Sequence, residues 1–428
     1  MKISGPSLAQ VDRSSDLYRL LEKAHGRIAA KDATTWGVKA AAEAAIRLNW
    51  VDLPEASVAL LPRIAEVAAQ FRDRNRVVLC GMGGSSLGPE VIALTYKKEI
   101  FIFDSTDPNY AQHALSGDLK STVVVVSSKS GSTIETSAQR SLFQSAFVDA
   151  GLKPADHILF VTDPESPLDK EVRAQGFTVI NADPNVGGRF SALTAFGLTP
   201  AALMGVDASV LLDQASDCRE LMEKNPEVVL DVAYLLLTQA EQFLGFTDSG
   251  SKFPGLSDWI EQLIAESTGK EEQGRLPIAT EGFKEAAMGG AFSVAFAPGA
   301  DLTVEAELGE HFLFWEWVTA LLGAALEIDP FNQPNVTEAK EATSAVLAEW
   351  NNSLPVITTA NSEGDVEIFG DGNTLVAALK NLIANTDADG YIAITAYLDR
   401  AGDSKLTELR AVLSQKSGRP VSFGWGPR

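Results

Sequence analysis

The chain has 428 residues, 45% of them apolar and 21% charged, with a formal charge of −22. Such a length and composition suit a large core divided between two domains and exclude a disordered chain. The acidic balance repels nucleic acid and anionic membrane, so neither is an expected partner, and any anion site has to be assembled locally from backbone N–H groups and a few cations.

The opening MKISGPSLAQVDRSS is polar and lacks the apolar core of a secretory signal. SSDLYRLLEKAHGRIAAKD and PEASVALLPRIAEVAAQFRDR then carry apolar residues at helical spacing, which makes residues 1–72 a helical segment. The rhythm changes after that. RVVLCG (76–81), EIFIFD (99–104), TVVVVSS (122–128), HILFVTD (157–163) and FTVINA (177–182) alternate with helical stretches at 86–96, 109–115, 133–149, 167–174 and 191–204. Short, continuously apolar runs suit strands buried on both faces, and their alternation with helices implies a parallel sheet covered on both sides. Cys80 sits inside such a run as a small core residue, and two cysteines, with Cys218, are too few for a disulfide framework.

The middle third reads as helical at 207–223, 227–246, 256–267 and 308–327, with one strand pattern at 291–298. The apolar stretch near 312–328 contains Glu316 and is too short to span a bilayer, so it reads as a buried helix. The last third supplies strand patterns at 356–361, 391–397 and 420–426 and helices near 373–384 and 404–416, which suggests a second, smaller α/β unit. The expected units are 1–72, 73–205 and 206–428, in a soluble cytoplasmic protein.

Five turns could carry chemistry. In TVVVVSSKSGSTIET a buried strand runs through S-K-S-G-S-T into a helix. Gly131 permits a tight turn, the helix start offers unpaired N–H groups, and Ser128, Ser130, Ser132 and Thr133 add hydroxyls beside Lys129. This is a cup for a phosphate monoester; the alternative is an ordinary capped turn. VVLCGMGGSSLGPEVI makes a second glycine turn on an adjacent strand. The positions of Gly81, Gly83, Gly84 and Gly88 miss the G-x-G-x-x-G dinucleotide pattern, and Asp104 alone is weak support for a nucleotide. NVGGRFSALTAFGL puts Arg189 on a turn before a helix capped near Ser191, where a guanidinium can meet negative charge. In WIEQLIAESTGKEEQGRLPI, Gln262 and Glu266 are four apart on one helix face, with Gly269 as the stop. A glutamate there can serve as a base or as a solvated carboxylate. Finally, IDPFNQPNVTEAK places Gln333 and Lys340 after the buried helix, with Thr337 opening a helix whose first turn holds Lys340.

These five segments, in this order, resemble the glucose-6-phosphate isomerase family, whose members have two sugar-isomerase (SIS) domains. GMGGSSLGP is similar to that family's G-I-G-G-S-x-L-G-P, SSKSGSTIET to S-K-T-x-T-T-x-E-T, NVGGRF to V-G-G-R-[YF], EQLIAESTGK to Q-x-x-x-E-S-x-G-K, and PFNQPNVTEAK to F-D-Q-x-x-V-E-x-x-K. The resemblance covers residues 30 to 345 and continues more loosely beyond them, and it is nearest to the bacterial branch also found fused to transaldolase. It implies an α/β fold of two SIS-type parallel-sheet αβα units after the N-terminal helices.

The resemblance also implies interconversion of D-glucose 6-phosphate and D-fructose 6-phosphate through a cis-enediol, in glycolysis and gluconeogenesis, without metal or cofactor, in a homodimer. Ser128, Lys129, Ser130 and Thr133 would hold the phosphate, with Gly84 and Ser85 along the sugar. Arg189 would stabilise the enediolate, Glu266 would move the proton, Gln262 and Gln333 would touch the substrate, and Lys340 would assist at the ring end. Two departures stand out. Asn332 replaces an aspartate, and none of His25, His113, His157 and His311 lies in the family's H-S-x-G-Q ring-opening segment. In the transaldolase-fused branch that segment follows G-x-G-P-R, so the resemblance puts the histidine just after Arg428; the alternative is a phosphosugar-binding protein with little or no catalysis. His311, beside Phe312 and Phe314, reads as a packed helix-start residue. Activity on mannose 6-phosphate is a further open alternative.

Overall fold

A computed structural model describes residues 1–239, 242–350 and 361–427. Its strands are β1 (Lys2–Ser4), β2 (Arg76–Cys80), β3 (Phe101–Phe103), β4 (Thr122–Ser127), β5 (Ile158–Thr162), β6 (Thr178–Asn181), β7 (Phe243–Thr247), β8 (Leu276–Thr280), β9 (Phe292–Ala295), β10 (Leu302–Glu305), β11 (Asn361–Glu363), β12 (Val366–Ile368), β13 (Ile392–Ala396) and β14 (Val421–Trp425). The helices that bear on the site are α1 (Asp16–Ala29), α2 (Gly84–Thr95), α3 (Ile134–Asp149), α4 (Ala208–Lys224), α5 (Glu227–Thr238), α6 (Leu256–Thr268), α7 (Leu308–Ala325) and α8 (Pro334–Trp350).

The first sheet is five-stranded and wholly parallel, in the order β3-β2-β4-β5-β6. Every residue of β4 is buried, and the two-residue period sorts its valines by face. Val124 and Val126 pack with Phe143, Phe147 and Phe160 on one side; Val123 and Val125 join the main core on the other. Burial on both faces is why these strands are continuous apolar runs. Cys80 lies among them fully buried, its thiol pushed up by the loss of solvent.

The second sheet departs from the expected organisation. Its order is β1-β10-β9-β7-β8, with β1 antiparallel to β10 and the others parallel. The second α/β unit is therefore built from the middle third and closed at one edge by the first residues of the chain. The helix expected over 227–246 ends at Thr238, and its tail becomes β7. A short apolar run fits a buried strand or a buried helix equally well by pattern, and β8 and β10 are four- or five-residue runs too brief to show a period. The strand patterns at 391–397 and 420–426 pair with each other as β13 and β14, and Asn361 opens a hairpin with β12. The remainder of the 356–361 pattern lies outside the described residues.

α7 is the axis of the fold. Residues 308–324 are all buried, against α1, α4, α5 and α6. Glu316 lies within it fully buried, and desolvation raises its carboxyl well above the usual range, which favours the neutral acid. His311 is held between Phe253 and Phe296, the packed position expected of it. No helix among the described residues is long and apolar enough to cross a membrane.

The C-terminal strands are tied to the first sheet by Arg400. Its guanidinium donates to the Tyr110 hydroxyl at 2.8 Å and lies 3.2 Å from a Glu90 carboxylate oxygen and 3.7 Å from Asp104. Asp104, weak support above for a nucleotide site, is thus engaged by a cation of the chain itself. Replacing Arg400 with Met leaves two carboxylates facing an apolar side chain, so a loss of about 3 kcal/mol is expected, the lower end for breaking a buried pair. A thermal melt checks the loss, and limited proteolysis should cut first within 361–427.

Candidate functional site

The strands of the first sheet deliver their connecting turns to one edge, the carboxyl edge where parallel sheets place ligands. β2 ends at Cys80, and Gly81–Gly83 turn the chain into α2. Gly83 has φ +55°, and a Cβ on it would stand 2.6 Å from Nε2 of Gln262. At Gly84 a Cβ would fall 2.2 Å from the carbonyl oxygen of Gly188. The start of α2 therefore lies directly on the Gly187–Gly188 turn, and both lie against α6. Ser85, on the first turn of α2, is buried beside Gly81.

The Ser128–Thr133 turn has the shape the sequence suggests. Gly131 has φ +74°, with the Leu168 side chain where a Cβ would be. The Ser128 hydroxyl accepts from the Gly131 N–H at 3.1 Å, and the Ser130 and Ser132 hydroxyls are 2.7 Å apart. Thr133 caps α3 by position, yet its side chain makes no cap hydrogen bond, so it is not spent on the helix. Lys129 is differently placed from a lysine free to meet a ligand. Its Nζ donates to both oxygens of Asp163, at 2.9 and 2.7 Å, and to the Pro184 carbonyl at 3.0 Å. Burial lowers the pKa of Lys129 and raises that of Asp163; their mutual attraction opposes both shifts. Arg47 joins them, donating to Glu43 at 2.7 Å and to the same Pro184 carbonyl at 3.1 Å.

These groups form one wall of a cleft of about 600 Å³. Arg47, Lys129, Ser130 and Asp163 face Gly187, Gly188, Asn332, Gln333 and Thr337 across it. Behind the glycine pair stands Arg189, 3% exposed. Its Nε donates to the Ser267 hydroxyl at 2.7 Å, and Nη2 to the carbonyls of Pro330 at 2.5 Å and Asn332 at 3.2 Å. Nη1 has none of these acceptors and lies 3.2 Å from Oε1 of Glu266. Burial lowers the Arg189 pKa, and the charge of Glu266 works against that shift. Glu266 is held from the other side by Gln262, whose Nε2 donates to Oε2 at 3.3 Å, one helical turn away on α6. The Glu266 side chain keeps 24% of its surface exposed, enough to be reached from solvent.

Several polar atoms around these turns are buried without a protein partner: the hydroxyls of Ser127 and Thr136, Oε1 of Gln139 and Oε1 of Gln262. Buried polar groups are normally satisfied, so a cluster of orphans at a strand edge marks a place shaped for something polar. Gly84, Arg189, Gln262 and Glu266 are thus brought together, with Lys129, Ser130 and Gln333 lining the cleft beside them and Ser128 buried on the same turn as Ser130. Lys340 stands apart. α8 starts at Pro334, whose fixed φ suits a first helical position, so Lys340 is its seventh residue and not in the first turn; it is exposed and does not line the cleft. The helix after Arg189 likewise starts later than expected, with Thr194 in place of Ser191 as cap.

Sequence reasoning missed Arg47, Asp163 and Lys270. Asp163 ends the run HILFVTD at the same sheet edge as the other turns, a signal that was there to read. Lys270 lies inside the quoted EQLIAESTGK motif. Arg47 carries no local signal. The contact between turns gives the test of the arrangement: Gly84→Ala drives a methyl into a backbone carbonyl, and about 1–3 kcal/mol of overpacking should appear as a lowered Tm.

The phosphoglucose isomerase family model matches residues 66–274. A glucose-6-phosphate isomerase of Campylobacter jejuni is 32% identical over 222 residues, covering 49% of this chain and 55% of that protein. One from Citrifermentans bemidjiense is 37% identical over 213 residues, covering 45% of this chain and 40% of that protein. The chain thus spans about half the length of the curated relatives it matches. Among solved structures, a hypothetical protein of Thermus thermophilus is 25% identical with a TM-score of 0.68, covering 80% of this chain and 98% of that one. A glucose-6-phosphate isomerase of Chlamydia trachomatis shares the fold, with a TM-score of 0.64 at 20% identity over 82% of this chain and 89% of that one. Residues 66–274, which hold both glycine turns, the Ser128–Thr133 turn, Arg189 and Glu266, are the part that the phosphoglucose isomerase family model matches, and the chain is similar to the glucose-6-phosphate isomerases.

Proposed function

We propose that the protein interconverts D-glucose 6-phosphate and D-fructose 6-phosphate by moving one proton between C2 and C1. The observation that carries this reading is the pairing of Arg189 with Glu266 beside a cleft walled by the Lys129–Ser130 turn. In the open-chain aldose, the Glu266 carboxylate takes the C2 proton and O1 becomes an enediolate oxygen, which takes the proton of the neighbouring O2 hydroxyl so that O2 can become the new carbonyl oxygen. The same carboxyl returns the proton to C1, and the carbonyl reforms at C2. Negative charge grows on oxygen during the first half. A guanidinium already fixed by Ser267, Pro330 and Asn332, with Nη1 turned toward Glu266, meets that charge without reorganising. The phosphate, bound by Ser130, Thr133 and the start of α3, anchors the far end so that C1 and C2 sit against Glu266.

None of the four histidines stands at the cleft. His25 packs on Trp317, His113 faces Asp399, His157 stacks on Phe147 and His311 is enclosed by aromatics. The reading therefore commits to the enediol step and assigns no ring-opening group. A homodimer, a cytoplasmic location and the lack of a nucleic-acid partner belong to the same proposal, the last supported by the charge of −22.

Glu266→Gln keeps the shape and removes the base, so kcat is expected to fall by about 10²–10⁴ with the affinity for fructose 6-phosphate nearly unchanged. A rate equal to the parent's would refute the role of Glu266. Ser130→Ala with Thr133→Ala should raise KM about tenfold or more, and a coupled assay over substrate concentration reads it directly. Comparing open-chain-enriched with equilibrated sugar separates proton transfer from ring opening.

A further inference from the structure

Lys270 follows the end of α6, four residues after Glu266, and is 5% exposed. Its ammonium has three donors and uses them all on one loop: the Asp329 carbonyl at 2.6 Å, the Asn332 carbonyl at 2.7 Å and Oδ1 of Asn332 at 2.8 Å. Arg189 binds that same loop, at the carbonyls of Pro330 and Asn332. The loop closes on itself where the Asp329 carboxylate accepts the N–H of Phe331 at 2.8 Å. It leads straight into Gln333 at the cleft. Two buried cations therefore hold one short segment, and the Asn332 carbonyl is shared between them.

The division of labour matters. Three carbonyls, of Asp329, Pro330 and Asn332, point inward and need donors. With Lys270 satisfying two of them, Arg189 can keep Nη1 for Glu266. Without Lys270 the Asp329 carbonyl and Oδ1 of Asn332 lose the donor they share, and the Asn332 carbonyl rests on Arg189 Nη2 alone. We propose that Lys270 is a positioning residue for the isomerase reaction: its ammonium locks the Asp329–Asn332 loop, which leaves Arg189 one edge for the developing enediolate and keeps Gln333 at the cleft. This rests on the isomerase reading given above.

The charged groups around Lys270 are Arg189, which repels it, and Asp329, Glu266 and Glu271, which attract it. Burial is the largest influence, and together they bring Lys270 down from 10.5 to about 8. A neutral amine has two N–H donors for three acceptors, so the lock loosens as pH rises through that value. The alkaline limb of the kcat profile then reports Lys270.

The test measures kcat, KM and amide exchange in parallel. Lys270→Met should lose about 10²-fold in kcat, the scale of a slight misplacement of catalytic groups, with KM for fructose 6-phosphate changed less than about threefold. Lys270→Arg should recover part of the loss, and amides of 329–333 should exchange faster in Lys270→Met than in the parent. Unchanged kcat, or unchanged exchange, overturns the proposal. Should Lys270→Met fail to fold, Asn332→Asp carries the test. A carboxylate on the ammonium stabilises its charged form, so the alkaline limb should move up by about one pH unit or more, and a limb that stays in place overturns the proposal. If the parent turns over neither hexose phosphate, the isomerase reading fails on its own evidence and takes the catalytic role of Lys270 with it. The loop lock is then decided by exchange alone.

Discussion

Burying a guanidinium is costly unless its donors are matched, and the arrangement of this site follows from how Arg189 is matched. Its partners come from separate parts of the chain: Ser267 and Glu266 at the end of α6, and the carbonyls of Pro330 and Asn332 on the loop after α7. Arg189 itself is delivered by the Gly187–Gly188 turn, against which Gly84 leaves no room for a side chain. The first sheet, the second unit and the loop that enters α8 therefore meet at one cation. A shift in any of them changes the guanidinium, and through it the carboxylate at 3.2 Å.

The second unit is placed to make that meeting possible. α6 leans on both α2 and β8, so a single helix touches the glycine turn of one sheet and the face of the other. α7 fills the space behind, its buried length in contact with α1, α4, α5 and α6. The strand of Lys2–Ser4 closes the second sheet beside β10, which ties the start of the chain to its middle. Glu266 is carried by a helix, and the Gly81–Gly83 and Ser128–Thr133 turns hang from strand ends, an arrangement suited to holding geometry within fractions of an ångström.

Much of this was legible in the residues. The first sheet follows from five apolar runs, because parallel strands buried on both faces leave an unbroken hydrophobic signature. The motif segments marked turns that the fold gathers around one cleft and Arg189, with Lys340 left outside, since glycines, hydroxyls and an arginine at strand ends have few other reasons to gather. The second sheet was not legible. β7, β8 and β10 are short runs flanked by helices, and without a period or a turn signal they merge into them. β1 is a short piece of a polar stretch, and its pairing depends on β10, which lies far along the chain. Lys270 was hidden differently. A lysine beside Gly269 reads as a solvated helix end, and only the return of the 329–332 loop buries it.

The charge of the chain gives the last step. A protein at −22 repels a sugar phosphate from a distance, and screening removes most of that field beyond about 8–10 Å in physiological salt. What decides binding is the local field inside the cleft, where Arg47 and Lys129 are each already paired with a carboxylate, Glu43 and Asp163. Their charges are largely balanced before a ligand arrives. In the proposed reading the net attraction for a phosphate then comes from groups that bring no counter-charge: the hydroxyls of Ser130 and Thr133 and the N–H groups at the start of α3. Such a cup grips an anion through hydrogen bonds of fixed direction. Under the proposed isomerase reading, Arg189 and Glu266, a pair at 3.2 Å, are left for the other end of the sugar, where charge develops only as the reaction proceeds.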